Sequence, residues 1–596
     1  MPQPRQSDVA GNGAQPDLSK VEAIKLHSNH LRGDIAAELE ADTPAFSEES
    51  AQLLKFHGVY QQDDRDRRRE ARTLGLDKHH QMMIRTRIPG GVAGADGYLA
   101  HDEIAGRWGD GTMRITTRQD FQLHGVLKGD MRDAIRAINR TLLTTLGGCG
   151  DQERNIMCCP APIRDRFRAD ILATLAVLVP ALTPATRAYH EIWIDGELAG
   201  SSEPETEPLY GDRYLPRKFK TAVALEGDNC VDVYANDLGL VAHRRADDGG
   251  LEGFSVLVGG GMGRHRNKPE TFAAVAVPMA WVSADQVIAL SQAVISVQRD
   301  HGDRANRRHA RLKYLIADRG VAWFRGQVQQ RLDFPLGDPR PLTWPMVDDH
   351  LGWHEQGDGL LYVGIPVENG RIADRDAGSG RRHRLRSGLR RIVEEMRPEV
   401  ILTPQQNVIL AGVEPAARPR VDALLVQLGI LHVADLPITL RNSMACPAYP
   451  TCGLAVAESE RVLPDLIRQI GILVEEIGLA DQQISYRMTG CPNGCARPYQ
   501  GDVGFVGTTL GKYDVFLGGD PQGTRLNELY AAAVPLTGLC DLLRGPLTAF
   551  RDERLVGEAF GDWCQRIGAD ELRRRFHVPA PAPARRTPAV AEALPV

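Results

Sequence analysis

The sequence predicts an α+β fold centred on a duplicated, strand-rich unit. Three observations carry this. Leu361-Tyr362-Val363-Gly364-Ile365-Pro366 echoes Ile84-Arg85-Thr86-Arg87-Ile88-Pro89, in register at the Ile-Pro. Leu402 to Val413 echoes Ile115 to Val126, with Thr, Gln, Leu, Gly and Val retained in place. At 596 residues the chain is also long for one core, so three or four domains are expected. The halves at about 81–148 and 350–420 should pack as a pseudo-twofold unit, flanked by an inserted α/β region (about 149–349) and a cysteine-bearing region (about 421–577). Residues 1–80 form an N-terminal extension, flexible at its start, and 578–596 a Pro/Ala/Arg-rich tail expected to be disordered. Within the echo, apolar strand positions persist while charge is lost: Arg85 aligns with Tyr362, Arg87 with Gly364, Arg118 with Gln405 and His124 with Ala411. A fold kept without its cations argues that those cations serve a site.

Composition narrows the function classes. Hydrophobic residues at 42%, charged residues at 25% and a net charge of −6 describe an ordinary globular protein, with no global signal for nucleic acid or an acidic membrane. The first twenty residues carry no apolar core of a secretory signal, and the stretch near Ile171 to Leu182 is too short to span a bilayer. Ten cysteines in so long a chain do not make a secreted disulfide framework. A cytoplasmic protein is the expectation.

In chain order, Ser47 to Leu76 is polar and helix-prone; its run Arg65 to Glu70 reads as a solvated helix face. Alternation over Ile84 to Ile88 gives a strand with Arg85 and Arg87 on one face, and a second strand runs from Met113 to Val126 with Arg118 and His124 on or beside it. The segment Gly150 to Pro160, containing Arg154, turns into a buried stretch, followed by a helix (Arg164 to Leu182) and a strand (Ala188 to Ile194). Lys218 and Lys220 alternate with Phe219 and so share a face ahead of a strand ending at Leu225. Asn229 to Val241 and Phe254 to Gly261 read as paired strands, the second closing on Gly259-Gly260-Gly261-Met262-Gly263, a run that lets backbone approach an anion or a flat cofactor. A helix over Ser283 to Gln298 precedes the basic stretch Arg304 to Lys313, expected to solvate a helix face.

The sharpest chemistry lies at Cys446-x5-Cys452 and Cys491-x3-Cys495, joined by a helix over Leu454 to Glu476. Two close pairs of thiolates are soft ligands suited to iron–sulfur clusters, copper(I) or zinc. Pro447, Pro450, Gly490, Pro492 and Gly494 bend the backbone so that the sulfurs can converge. Structural zinc is the main rival, though its pairs usually sit closer together; buried core cysteines are the bland one.

This pattern, with Thr489-Gly490-Cys491-Pro492-Asn493-Gly494-Cys495 as its second half, resembles the signature of the siroheme-containing sulfite and nitrite reductases. The resemblance extends over roughly Ser47 to Ala569. It implies a three-domain sulfite/nitrite reductase-like fold with ferredoxin-like repeated halves, a siroheme/substrate-binding region at 149–349 and a cluster- and siroheme-binding region at 421–577. It further implies a 4Fe–4S cluster on Cys446, Cys452, Cys491 and Cys495, with Cys495 also ligating the siroheme iron. Arg85, Arg154, Lys218 and Lys220 match positions around the substrate anion, and Arg118 a position near the haem; Arg87, His124 and Asn493 are further cofactor-binding candidates. The implied activity is six-electron reduction of sulfite to sulfide by an assimilatory hemoprotein, with nitrite reduction as the alternative; nitrite reductases of the family more often carry Ser where Gly494 stands. No flavin or NADPH domain is evident, so electrons would come from a partner, an NADPH-dependent flavoprotein subunit or a ferredoxin. The rivals from other classes are an iron–sulfur electron carrier without haem and a zinc-stabilised binding protein.

Overall fold

The structure is a computed structural model. It describes residues 18–580 apart from 186–190, 195–196, 202–206, 266–267, 269, 346 and 377–381, with no side-chain detail at 191–194, 197–201, 376 and 382. Most of the expected disordered tail and the first residues of the N-terminal extension lie outside the described residues, as does the start of the strand expected from Ala188; Glu191–Ile194 is a strand.

The duplication is visible in two antiparallel sheets that share one apolar core. The first has the strand order Val59–Asp63, His80–Arg85, Phe121–Val126, Met113–Ile115, Arg371–Ile372, and the second Gly352–Glu355, Leu361–Ile365, Val408–Val413, Glu399–Leu402. Helices Gly94–Arg107 and Leu385–Met396 pack on one another and on this core. Each copy reaches into the other by the same move. Gln119, at φ 57°, donates from Nε2 to the Leu402 carbonyl (2.9 Å), and Gln406, at φ 69°, donates to the Ile115 carbonyl (3.3 Å). Arg371 pairs with Arg114 in the ladder, and Val92 makes the matching bridge to Ile401.

These contacts correct the register of the first echo. Ile84 faces Leu123 in one copy and Val363 faces Leu410 in the other, while Ile88 N–H donates to the Asp120 side chain as Val367 N–H donates to that of Asn407. Arg85 therefore corresponds to Gly364 rather than Tyr362, and Arg87 to Pro366 rather than Gly364. A slip of two residues preserves which face each side chain occupies, so alternation alone could not detect it. The second echo keeps its register, but its first copy is a hairpin rather than one strand. Thr116 Oγ1 accepts from the backbone N–H of Arg118 (3.1 Å) and Asp120 (3.2 Å), tightening a turn that lifts Arg118 off the sheet.

Two further sheets flank the pair. One orders Val277–Ser283, Leu251–Val258, Leu238–Arg244, Thr221–Leu225 and Met157–Cys158, with helices Arg166–Ala181 and Val287–His301 on its core. The other orders Ser443–Ala445, Tyr486–Thr489, Val503–Thr509, Lys512–Leu517 and Glu528–Pro535. Its helix Leu463–Glu476 starts with Pro464 in the first turn and buries Leu466, Ile467, Ile470, Leu473 and Val474, a spacing that puts them on one face. The helix expected from Leu454 thus begins nine residues later, because the chain after Cys452 is looped. Ser47 to Leu76 is likewise broken, the strand Val59–Asp63 separating two short helices.

Buried charge joins these units. Glu460 accepts from Arg114 Nε (3.0 Å) in one repeat and from Arg371 Nε (2.6 Å) beside the other. The two guanidiniums overcome the effect of burial and hold its carboxyl down at about 2.

Candidate active site

Two loops bring the four cysteines of the Cys-x5-Cys and Cys-x3-Cys pairs together. The first follows the strand Ser443–Ala445 and the second follows Tyr486–Thr489, its parallel neighbour, so both pairs leave the same sheet edge. Gly490 N–H points at Cys446 Sγ at 3.4 Å. Burial and the neighbouring Cys495 push the Cys446 thiol up to about 12, and Cys495, Cys446 and Cys452 act on Cys491 in the same direction. Cys446, Cys452 and Cys491, raised by burial and by the sulfurs around them, belong to a set that a cationic cluster stabilises. Cys446 and Cys491 are buried and Cys452 half-buried, while Cys495 is exposed to a cavity.

That cavity, about 360 Å³, is bounded by ten Lys or Arg side chains and no Asp or Glu. Its walls come from several separate parts of the chain. The hairpin turn supplies Arg118, which donates to Asn236 Oδ1 (2.8 Å) and the Thr221 carbonyl (3.1 Å); burial draws its pKa down to about 10, and its Nε has no partner. The same turn docks on the cysteine loop, Thr117 Oγ1 donating to the Cys495 carbonyl (3.0 Å) and Arg497 donating back to the Thr117 carbonyl (3.1 Å). Lys218 and Lys220 enter from the segment before the strand Thr221–Leu225, held by the bridge Glu153–Phe219. Among the described residues neither ammonium has an ion-pair partner. Burial, then Arg217 and Arg311, push Lys218 down to about 7, and burial, then Arg118 and Lys218, take Lys220 well below the usual lysine range. Both side chains are only half-buried by exposed area, since they face the cavity, but protein encloses them on every other side.

Arg85 and Arg154 stand behind this wall on a shared anchor. Arg85 approaches Cys149 Sγ at 3.3 Å and Arg154 approaches it at 3.4 Å, with Arg154 also donating to the Gly148 carbonyl (2.6 and 3.0 Å). Burial opposes the charge on Arg85, but Cys149, Tyr60, Asp120 and Cys495 outweigh it. Asp120, pushed up to about 7 by burial, sits among Arg85, Arg118 and Arg154. Asn493 lines the cavity beside Gly494, whose φ of +64° and packing against Met262 leave no room for a Cβ. The glycine run lies against this loop: Arg264 N–H donates to the Pro492 carbonyl (3.0 Å), and a Cβ on Gly263 would sit 3.5 Å from the Asn493 carbonyl. The structure places Arg87 and His124 off the cavity lining. Arg87 reaches toward the Val179 carbonyl (3.5 Å), and His124 is buried with both ring nitrogens unpartnered, under the influence of Arg371 and Arg114.

Two basic stretches read as solvated faces do other work. Arg307, Arg308 and Arg311 line the cavity from the turn and bend ahead of the helix Leu312–Arg319, and Lys313 from its first turn, Arg311 held by Asp237 (2.7 and 2.9 Å) and Arg307 by Asp151. Arg65 donates to the carbonyls of Cys452 (3.1 Å) and Ala455 (2.6 Å) and lies over the Tyr449 ring at 4.5 Å, clamping the first cysteine loop.

A set of four convergent cysteines opening on a cation-rich cavity with no acidic side chain fits a redox protein that handles a polyanion. The particular family follows from comparison. The family model described as the nitrite and sulphite reductase 4Fe-4S domain matches residues 175–336, and that of the nitrite/sulfite reductase ferredoxin-like half domain matches 75–140 and 354–428. The chain is 45% identical to a sulfite reductase (ferredoxin) of Synechococcus elongatus over 95% of its length and 92% of the relative's. It is 43% identical to a sulfite reductase (NADPH) hemoprotein beta-component of Acidithiobacillus ferrooxidans over 92% and 96%. The fold is similar to that of the NirA protein of Mycobacterium tuberculosis (TM-score 0.74, 24% identity, covering 93% of this chain and 98% of that one). The chain belongs to the siroheme and iron–sulfur sulfite and nitrite reductase family, with siroheme and a 4Fe–4S cluster as its cofactors. The donor set and the acid-free cavity fit both groups: eight carboxylates on a siroheme call for surplus cations, and Cys495 is the thiolate that reaches the cavity. No helix among the described residues is long and apolar enough to cross a membrane.

Proposed function

We propose that the chain is the hemoprotein of an assimilatory sulfite reductase, converting sulfite to sulfide with electrons from a partner protein. The observation that carries this reading is that Cys495, alone of the four cysteines, lines a cavity together with Lys218, Lys220 and eight further Lys or Arg side chains and no Asp or Glu. Sulfite, six electrons and seven protons give hydrosulfide and three waters, so the pocket must hold a dianion and deliver protons to departing oxygens. The siroheme–cluster pair supplies the electrons and a metal for the substrate; Cys446, Cys452, Cys491 and Cys495 would hold the cluster, and Cys495 the haem iron as well.

The chain's own residues do the rest. Arg85 and Arg154, braced on Cys149 behind the wall, add positive charge that favours the substrate anion and would polarise its S–O bonds on approach. Lys220, its ammonium held well below the usual lysine range by burial, then Arg118 and Lys218, regains its proton when an anion arrives beside it. Lys218 Nζ, poised near neutrality, gives a proton to a leaving oxygen and takes another from solvent. Arg118, Arg217, Arg307 and Arg308, also on the cavity wall, would pair with the haem carboxylates, and Asn493 lines the cavity close in sequence to Cys495.

The donor is a flavoprotein or a ferredoxin; the relatives' names include both an NADPH and a ferredoxin type. Gly494 favours sulfite over nitrite, as in the family's sulfite reductases. The test is the purified protein's absorption together with turnover on both anions. Haem bands over cluster absorption, with sulfite the better substrate by kcat/KM, are expected. Cluster absorption alone would make it a carrier, and faster nitrite turnover would reassign the substrate.

A further inference from the structure

Away from the cavity, four side chains that the proposed reaction does not use meet at one buried point. Cys159, Asp228, Cys230 and His350 place one ligand atom each within 4.8 Å of all the others. Three of the separations are Cys159 Sγ to His350 Nε2 at 3.7 Å, Cys159 Sγ to Asp228 Oδ2 at 3.9 Å, and His350 Nε2 to Asp228 Oδ2 at 3.6 Å. The last is too long for a hydrogen bond between a nitrogen and a carboxylate oxygen, which close to about 2.7–3.2 Å. It matches instead the edge of a coordination tetrahedron. Zinc bonds of about 2.0–2.3 Å to nitrogen, oxygen and sulfur give edges of about 3.3–3.8 Å.

The surroundings are those of a built metal site. Asp228 Oδ1 is occupied by the backbone N–H groups of Cys230 (3.0 Å) and Asp348 (3.1 Å), which leaves Oδ2 directed at the cluster. Asp348 Oδ2 lies 3.4 Å from His350 Nδ1, so a carboxylate backs the imidazole and turns Nε2 inward, the arrangement that orients metal-bound histidines. The Arg168 guanidinium, buried and donating to the Cys159 carbonyl, supplies a nearby positive charge.

We propose that this chain carries a second metal centre, a structural zinc(II) bound by Cys159, Asp228, Cys230 and His350. Two thiolates, a carboxylate and a neutral imidazole around a dication sum to one negative charge, which Arg168 offsets. Binding a zinc(II) ion displaces two protons from this set of side chains to solvent and involves no redox change. All four positions are filled by protein, as in structural rather than catalytic zinc sites. The ion would fasten the segment after Met157, a cavity residue, to the loop before Asp232, the partner of Arg487, and to the chain just ahead of the second repeat. This inference stands apart from the assignment of sulfite as substrate.

The test is metal analysis of the holoenzyme purified without chelator, by inductively coupled plasma mass spectrometry, with zinc K-edge absorption on the same sample. Expected are about one zinc per chain beyond the iron, with two sulfur neighbours near 2.3 Å and two nitrogen or oxygen neighbours near 2.0–2.1 Å. Cys230→Ser and His350→Gln should each lose that zinc while haem and cluster absorption stay. Absence of zinc from the wild-type protein overturns the proposal, as does a Cys159–Cys230 disulfide seen as a two-proton mass deficit, or zinc with a sulfur-free shell. Should a variant fail to fold, the wild-type content and edge spectrum decide alone.

Discussion

Replacing Lys218 with arginine separates proton delivery from charge. In the folded protein burial and two neighbouring guanidiniums bring this ammonium to about 7, against roughly 10.4 for a free lysine. The acid form then falls from about half the molecules at pH 7 to about one-tenth at pH 8 and one-hundredth at pH 9. Arginine preserves the positive charge but releases no proton in this range. Lys218→Arg should therefore lower kcat by about 10²–10⁴, the usual contribution of a positioned acid, while KM for sulfite moves far less. The sign with substrate bound also follows: a dianion beside Nζ favours the ammonium, so the alkaline fall in kcat should lie at higher pH than that in kcat/KM. The assay is sulfide production with a chemically reduced viologen as donor, from pH 6 to 9. Sulfite itself titrates near neutrality, and running the variant through the same series removes that contribution. Unchanged turnover in Lys218→Arg, or lost turnover with the wild-type alkaline limb intact, would refute the reasoning and leave Lys218 a charge alone.

Glu460→Gln should destabilise the fold by about 3–5 kcal/mol in denaturant titrations at pH 7, because Arg114 and Arg371 are left buried with no counter-charge. The folded pKa lies below the unfolded one, so the wild-type advantage is complete above about pH 4.3 and shrinks as pH falls toward 2. Arg65→Ala removes two charge-assisted hydrogen bonds from the Cys452 loop, a loss of about 1–2 kcal/mol, and cluster absorption in air should bleach roughly 5- to 30-fold faster than in the wild-type protein.

How much of this was legible in the sequence depends on how local each signal is. The cysteine pairs are short-range patterns, and the structure brings all four together. The duplication could be read because apolar alternation survives divergence, yet its first register could not be fixed: the Ile-Pro coincidence lay two residues from the true match, on the same strand face. Arg304 to Lys313 was misread because charge runs usually solvate helices, and nothing local shows that Asp151 and Asp237 wait for Arg307 and Arg311. Arg65 was missed for the same reason, its acceptors lying nearly four hundred residues away. Cys159, Asp228, Cys230 and His350 have no motif spacing at all; only tertiary structure makes them neighbours.

The crossing of Gln119 and Gln406 fixes the two repeats against each other, yet the positions that match across it are not interchangeable. Opposite Arg85 the second copy holds Gly364, where any Cβ would strike the His350 carbonyl. Opposite Arg118 it holds Gln405, whose amide is committed to the Cys230 carbonyl, and opposite His124 the fully enclosed Ala411. A cation placed at any of these positions would have to displace backbone, a committed hydrogen bond or enclosing neighbours, so the two halves divide the labour: one presents charge to the cavity, the other braces it, and single substitutions do not exchange their roles.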